Sequence, residues 1–376
     1  MPKPAMPLNE VLPPLIFGTA TFNFQYNKDP HSLEAAKLVH KAIDNGITAF
    51  DTSPYYGPSE EILGKALQQP EPGMNEPFHR KSYQLITKVG RISGDVFDYS
   101  PEWVRKSVER SLKRLNTDHL DLVYCHDVEF VSPEETLAAV KELRRIRDEP
   151  GQKEKKIRYI GICGYPVDYL CDMAEMILKE TGEPLDAVQS YANYTLQNTR
   201  LATRGVERLK KAGVEIVTNS SVLGMGLLRT NGLPVGGMGD WHPAPSGLRD
   251  GCKKASSMLQ SRGENSERLE VVAMRWALDS WLDVGAAVGT RSSELARPKC
   301  GVSVIGVSSD RELDDAIQVW RNIEGKRRSE DKRIWKDEQE SLHKMAKEIR
   351  DVLGEYYDYA WASPEEGWVR KEHKEE

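Results

Sequence analysis

Eight short runs of β-branched and apolar residues recur along the chain, and stretches with helical signals lie between them. The runs are residues 15–20 (LIFGTA), 47–52 (ITAFDT), 83–88 (YQLITK), 120–125 (LDLVYC), 157–162 (IRYIGI), 186–190 (DAVQS), 214–219 (VEIVTN) and 302–307 (VSVIGV). Most are too short for helices and rich in Val, Ile and Tyr, so they read as strands buried on both faces. Between them, residues 32–45 put Leu33, Ala36, Val39, His40 and Ile43 on one helical face. Residues 100–115 and 132–148 each open with Ser-Pro-Glu, a cap followed by proline at the first helical position. Residues 201–212 stop at Gly213, residues 266–284 form a strong helix, and residues 309–323 follow the last strand. This alternation predicts an α/β fold, a (β/α)8 TIM barrel over residues 14–323. The competing doubly wound sheet would want a glycine-rich phosphate turn, and neither GxGxxG nor GxxxxGK[ST] occurs.

Two segments break the repeat. Residues 229–265 are rich in Gly, Pro and Ser and read as a long loop after strand seven. Residues 324–376 form a C-terminal tail with a charged helix at about 330–353 and an aromatic cluster, Tyr356, Tyr357, Tyr359 and Trp361. That tail is either a solvated appendage or a cover folded over the barrel mouth, lining a substrate site.

Composition excludes several function classes. The 376 residues carry 52 Lys and Arg against 58 Asp and Glu, a net charge of −6. With no basic excess, nucleic acid is not an expected partner. No 18-residue apolar run occurs and MPKPAMPLNE has no apolar signal region, so a cytoplasmic protein with no membrane partner is expected. The cysteines at 125, 163, 171, 252 and 300 are odd in number and lack CxxC spacing, which argues against a disulfide framework or a cysteine-rich zinc site. His31, His40, His79, His119, His343 and His373 have no metal-ligand spacing, so no metal is expected.

The ends of the strands carry the chemistry. Strand two ends in Asp51-Thr52-Ser53-Pro54-Tyr55-Tyr56, strand three in Lys88, and strand four in Cys125-His126-Asp127. Parallel strands lie about 4.8 Å apart, so an acid, a phenol, an ammonium and an imidazole can converge on one rim. Each alone is an ordinary cap or surface residue; their coincidence at three successive strand ends is not. Such a set moves a proton on or off an alcohol or carbonyl oxygen. Tyr56 as a base near neutrality needs its pKa lowered from about 10, and Lys88 would supply the cation, with Asp51 fixing the lysine. The set offers no hydride source, so a redox reaction needs a cofactor.

The runs GITAFDTSPYYGPSEEILGKAL (46–67), LITKVG (85–90) and LDLVYCHD (120–127) resemble the motifs of the aldo-keto reductase superfamily, over about residues 14–323. That resemblance implies a nicotinamide cofactor bound without a Rossmann motif, and a catalytic tetrad of Asp51, Tyr56, Lys88 and His126, with Tyr56 rather than Tyr55 as acid/base. KIRYIGICGYPVDYL, AVQSYANYTLQN, SSVLGMGLL, DWHPA and the YAWASP tail resemble the branch that oxidises D-arabinose and L-galactose. The branch implies NAD-dependent oxidation of an aldose, D-arabinose or a similar sugar such as L-galactose or L-fucose, at C1 to its lactone. It implies a role in D-erythroascorbate or ascorbate-type biosynthesis and a monomer or homodimer. The alternatives are an NADPH-dependent aldehyde or ketone reductase of the pyridoxal type, and a non-catalytic cofactor-binding subunit resembling potassium-channel β-subunits.

Cofactor contacts implied by the resemblance are Gly18, Thr19, Cys163, Gln189, Ser220, Ser221, Leu223, Gly306, Ser308 and Ser309. Several depart from the family pattern. The usual Ser-Asn pair after strand five is Cys163-Gly164, where Cys163 is either a packing residue or a weak contact. The tyrosine many relatives stack on the nicotinamide is replaced by Ser220. After strand eight, Ser308-Ser309 stand where NADPH users place a cation; they favour NAD, with Arg311 leaving NADP possible. The same serines can cap the following helix. His242 reads as structural, Trp276 and Trp281 as packing residues, and alternation sends Cys125 and His126 to opposite faces.

Overall fold

A computed structural model describes residues 6–70, 75–151, 155–233, 239–292, 295, 297–329 and 332–374. All eight expected strands form. They are β1 (Leu15–Gly18), β2 (Ala49–Asp51), β3 (Gln84–Val89), β4 (Leu120–His126), β5 (Ile157–Gly164), β6 (Ala187–Tyr191), β7 (Ile216–Ser220) and, after a hairpin of β8 (Thr290–Ser292) and β9 (Arg297–Cys300), β10 (Val302–Gly306). The barrel strands are parallel and close in the order β1-β10-β7-β6-β5-β4-β3-β2. Strand alternation divides each strand between two cores. Ile16, Ala49, Ile86, Leu122, Ala187 and Ile216 fill the barrel interior. Their neighbours Phe17, Phe50, Leu85, Val123, Val188 and Val217 face the surrounding helices. Cys125 belongs to that outer layer, opposite to His126, as alternation requires. Leu8 and Leu12, beside α1 (Leu8–Val11), pack with the interior core.

The helices follow their sequence signals. In α4 (Pro101–Arg114) the Ser100 hydroxyl accepts the Trp103 N–H at 3.3 Å. In α5 (Pro133–Arg147) Ser132 and Glu135 form a reciprocal capping box. Trp276 and Trp281 on α9 (Leu269–Val284) pack against Tyr194, at 5.2 and 4.9 Å between ring centres.

The segment 229–265 differs from a simple loop: Ser246–Gln260 is a helix, α8. Its Leu248, Cys252, Ala255 and Leu259 are buried on one face. Its glycines are there for close approach. A Cβ at Gly247 would lie 2.1 Å from the Tyr356 hydroxyl, and one at Gly251 would lie 3.2 Å from the Leu353 side chain.

The tail adopts the covering arrangement. After α10 (Asp310–Arg328) and α11 (Lys332–Leu353), the Gln197 side-chain amide donates to the carbonyls of Tyr356 and Tyr359, at 2.8 and 3.0 Å. Trp361 then stacks on Tyr165, 4.6 Å between centres, and Trp368 packs edge-on against Phe130 at 4.8 Å. Arg370 donates to the Phe97 carbonyl at 2.8 Å and to Glu135 at 2.7 Å, pinning the far end of the strap.

At Gly161 on β5 an added Cβ would lie 2.3 Å from the Ala187 carbonyl oxygen and 2.7 Å from the Tyr124 ring. Gly161→Ala must therefore push β5 from β6, and a stability loss of about 1–3 kcal/mol is expected in denaturant titration. Unchanged stability would show that the barrel wall yields there.

Candidate active site

β2 and β3 place two charged residues against each other inside the barrel. Asp51 is the last residue of β2, and Lys88 lies one position before the end of β3. The Lys88 ammonium donates to Asp51 Oδ1 at 2.6 Å and to the Thr52 carbonyl at 2.9 Å, and Lys88 is only 1% exposed. Burial alone would push the lysine down, but Asp51, with Tyr56 and Cys163, outweighs it and holds the ammonium above its ordinary value. Burial also disfavours the Asp51 carboxylate, and the lysine beside it is the main opposing influence.

The Lys88 nitrogen lies 4.9 Å from the centre of the Tyr56 ring. The sequence expectation of a lowered tyrosine pKa is corrected here. Enclosure by the cavity walls raises the phenol above its ordinary value, and Lys88 only opposes that rise. The main physical reason is the loss of solvation on enclosure, and Asp51, by offsetting part of the lysine's charge, adds to it.

His126, the last residue of β4, meets Tyr56 edge-on at 5.7 Å between ring centres. Burial, then Lys88 and Arg91, hold it well below its ordinary pKa, so the ring is neutral. Ser53 Oγ accepts the Tyr55 N–H at 3.1 Å and sits 3.0 Å from His126 Nδ1. When the serine gives its proton to Nδ1, Nε2 is the N–H donor that faces the cavity.

These groups line one cavity of about 1130 Å³ at the C-terminal end of the barrel. Asp51, Tyr56, Lys88 and His126 all face it, as do Gly18, Cys163, Gln189, Ser220, Ser221, Leu223, Gly306, Ser308 and Ser309. Thr19 does not line it. Its hydroxyl donates to the Asp51 carbonyl at 3.1 Å and accepts from Ser59 at 2.7 Å, so it ties the first two strand ends together. His242 is also a scaffold: its Nε2 bonds the Gly224 carbonyl at 2.9 Å and its Nδ1 accepts the Ala244 N–H at 3.0 Å. Burial lowers its pKa to about 4, keeping it neutral.

Sequence reasoning missed several cavity residues. Arg229 and Arg268 stand at the same end as Ser308, but from segments about 80 and 40 residues earlier in the chain. Each is paired with an acid of α10, Arg229 with Glu312 and Arg268 with Asp315. Glu312 also accepts from the Ser308 N–H at 2.8 Å and its hydroxyl at 3.1 Å. At the opposite end stand Arg91, Trp241, Trp361 and Trp368, with Asp127 beside His126. Asp127 had a visible signal, its place next to the strand-end histidine, and Trp361 belonged to the aromatic tail cluster that the sequence offered as a cover of the barrel mouth.

Two observations bear on bound groups. Among the described residues, Gln189 Oε1 is buried without a hydrogen-bond partner at the cavity wall. A carboxamide N–H donor suits that orphan acceptor, so the lining fits a nicotinamide, with Gln189, Ser220 and Cys163 around it. His126, Asp127 and Cys163 bring ligand atoms within 4.8 Å of one another, a set a metal could use, but the cationic Lys88 and Arg91 flank it and repel a metal ion.

The chain is similar to known proteins along most of its length. Residues 14–329 match the family model described as Aldo/keto reductase family. The chain is 35% identical over 352 residues to the D-arabinose 1-dehydrogenase of Saccharomyces cerevisiae, covering 93% of each chain. It is 36% identical over 242 residues to the L-galactose dehydrogenase of Arabidopsis thaliana, covering 63% of this chain and 68% of that one. It is 28% identical over 323 residues to the probable aldo-keto reductase 1 of Glycine max, covering 81% and 85%. The chain therefore belongs to the aldo/keto reductase family of oxidoreductases, which use nicotinamide cofactors. Among the described residues, no helix is long and apolar enough to cross a membrane.

Lys88→Met strands the Asp51 carboxylate in the barrel interior, so a loss of about 3–5 kcal/mol of stability is expected in chemical denaturation. Adding Asp51→Asn to that variant is expected to regain part of the loss. A single variant as stable as the parent would show that the pair is not buried as described.

Proposed function

We propose that the protein oxidises an aldose at C1 to its lactone, with NAD as the oxidant and D-arabinose or a close relative as substrate. The observation that carries this reading is the Tyr56 ring set between the buried Lys88–Asp51 pair and the neutral His126 in one cavity. The nicotinamide supplies the hydride acceptor. Tyr56 takes the proton from the C1 hydroxyl. Lys88, 4.9 Å from its ring, stabilises the phenolate form of Tyr56 that accepts this proton, so the phenol is regenerated as the hydride leaves C1. His126 donates from Nε2 to the same sugar oxygen and orients it. Asp51 holds Lys88 in place through the 2.6 Å contact and balances its charge. The similarity to a D-arabinose 1-dehydrogenase along nearly the whole chain supports the sugar assignment. The lactone product suits D-erythroascorbate-type synthesis.

NAD is favoured over NADP by the acids at the Ser308 end. Arg229 and Arg268 are already committed to Glu312 and Asp315, and Glu312 grips Ser308. A 2′-phosphate would meet those carboxylates, whereas a ribose hydroxyl can donate to them. One residue favours the second reading, an NADPH-dependent carbonyl reductase. Arg311 lines the cavity there and has no ion pair among the described residues.

Initial rates of NAD and NADP reduction with D-arabinose, L-galactose and L-fucose test the proposal. NAD-linked turnover at least about tenfold more efficient than NADP-linked is expected. Carbonyl reduction by NADPH with no sugar oxidation would replace the proposal with the second reading. Tyr56→Phe is expected to lower kcat by about 10²–10⁴-fold while changing NAD affinity little, read from quenching of tryptophan fluorescence. Retained turnover would remove Tyr56 from the chemistry.

A further inference from the structure

Next to the reacting groups stands a buried ion pair that the chemistry above does not use. Asp127 follows His126 directly, and its side chain is only 3% exposed. Arg91 Nη1 binds Asp127 Oδ2, and Arg91 Nε donates to the Ser93 carbonyl at 3.3 Å. The guanidinium carbon lies 3.9 Å from the centre of the Tyr55 ring, and 5.3 and 5.4 Å from those of Phe97 and Phe130. The pair is thus held rigidly, yet incompletely satisfied. Among the described residues, Arg91 Nη2 and Asp127 Oδ1 make no hydrogen bond, and both residues line the cavity.

The backbone points the same way. Asp127 has φ of 56°, in the left-handed region that non-glycine residues seldom occupy. Such strain persists where surrounding structure holds it, and it concentrates at sites that bind or react.

The spacing defines a ligand. His126 Nε2 lies 3.6 Å from Asp127 Oδ2, too long for a good hydrogen bond between them. That separation is comparable to the distance between oxygens on adjacent carbons of a sugar. A substrate oxygen on Nε2 therefore brings the hydroxyl of the neighbouring carbon against the Asp127 carboxylate. A hydroxyl is both donor and acceptor, so one group can give its proton to Asp127 and accept from Arg91 Nη2.

Resting on the C1-oxidation reading, we propose that Asp127 and Arg91 together bind the C2 hydroxyl of the aldose and make that hydroxyl a requirement for efficient turnover. Facing a methylene, the remaining polar atoms of this pair, Asp127 Oδ1 and Arg91 Nη2, gain no partner, and that rejects a 2-deoxy sugar. Carbonyl compounds without a neighbouring hydroxyl would be poor substrates for the same reason.

The test compares kcat/KM for D-arabinose and 2-deoxy-D-ribose, which is D-arabinose lacking the C2 hydroxyl. The unmodified protein is expected to prefer D-arabinose at least about tenfold, the size of one charge-assisted hydrogen bond. In Asp127→Ala and, separately, in Arg91→Met, the ratio is expected to fall below about threefold, because D-arabinose loses more than the deoxy sugar does. Equal rates on both sugars with the unmodified protein would overturn the inference and leave the aldose dehydrogenase in place. A ratio unchanged in both variants would overturn it too. Turnover of neither sugar would instead overturn the aldose reading, and this inference with it. The first comparison needs no variant, so it stands even if a substitution prevents folding.

Discussion

Everything at the mouth of this barrel is arranged around a lysine that has been taken out of water. Lys88 is buried beside the apolar interior of the barrel, and its contacts with Asp51 and the Thr52 carbonyl do most to make its charge tolerable. The barrel can hold such a pair because β2 and β3 are adjacent parallel strands with fixed register, Asp51 opposite Ile86. Once the ammonium is there, its neighbours change character. His126 stays neutral, and the Tyr56 phenol has an opposing cation against the cost of its enclosure. Electrostatic effects at these distances are large because water is largely excluded.

The strand ends were legible because the residues demanded by proton transfer are chemically unusual in such positions and stand at successive strands. The strands themselves were legible from short apolar runs, since burial on both faces leaves little else they can be. Other features were hidden for physical reasons. α8 looked like a loop because its glycines, Gly247 and Gly251, serve close packing against Tyr356 and Leu353, a reason invisible without the partner. The direction of the Tyr56 shift was misjudged because the sequence displays the lysine but neither the enclosure nor the partner that offsets much of its charge. Thr19 sits beside a cavity residue, yet its side chain turns the other way.

The two ends of the cavity were legible to different degrees. The Ser308 end could be read from the loop after the last strand, but its arginines come from the segments before and at the start of α9. The opposite end depends on contacts that span most of the chain. Glu129 accepts the Tyr165 N–H at 2.9 Å and the Ser363 hydroxyl at 3.0 Å, which fastens the C-terminal strap to the end of β4. Trp361 and Trp368 thereby become walls of a cavity whose chemistry sits more than 200 residues earlier. The aromatic cluster of the tail made a cover one of two alternatives, but the contacts that choose it are not local.

The central claim is that a buried, lysine-opposed tyrosine is the base and a neutral histidine its partner, and the pH dependence of kcat/KM for aldose oxidation tests it directly. A base whose pKa lies above the ordinary tyrosine value of about 10 is protonated at neutrality, so activity must rise as pH increases toward that value. A histidine held well below 6.5 is already neutral and adds no inflection there. The profile is expected to climb with single-proton slope from about pH 7 to about pH 10, without a break near pH 6.5. A plateau reached below about pH 8, or a loss of activity titrating near 6.5, would contradict this assignment of base and donor.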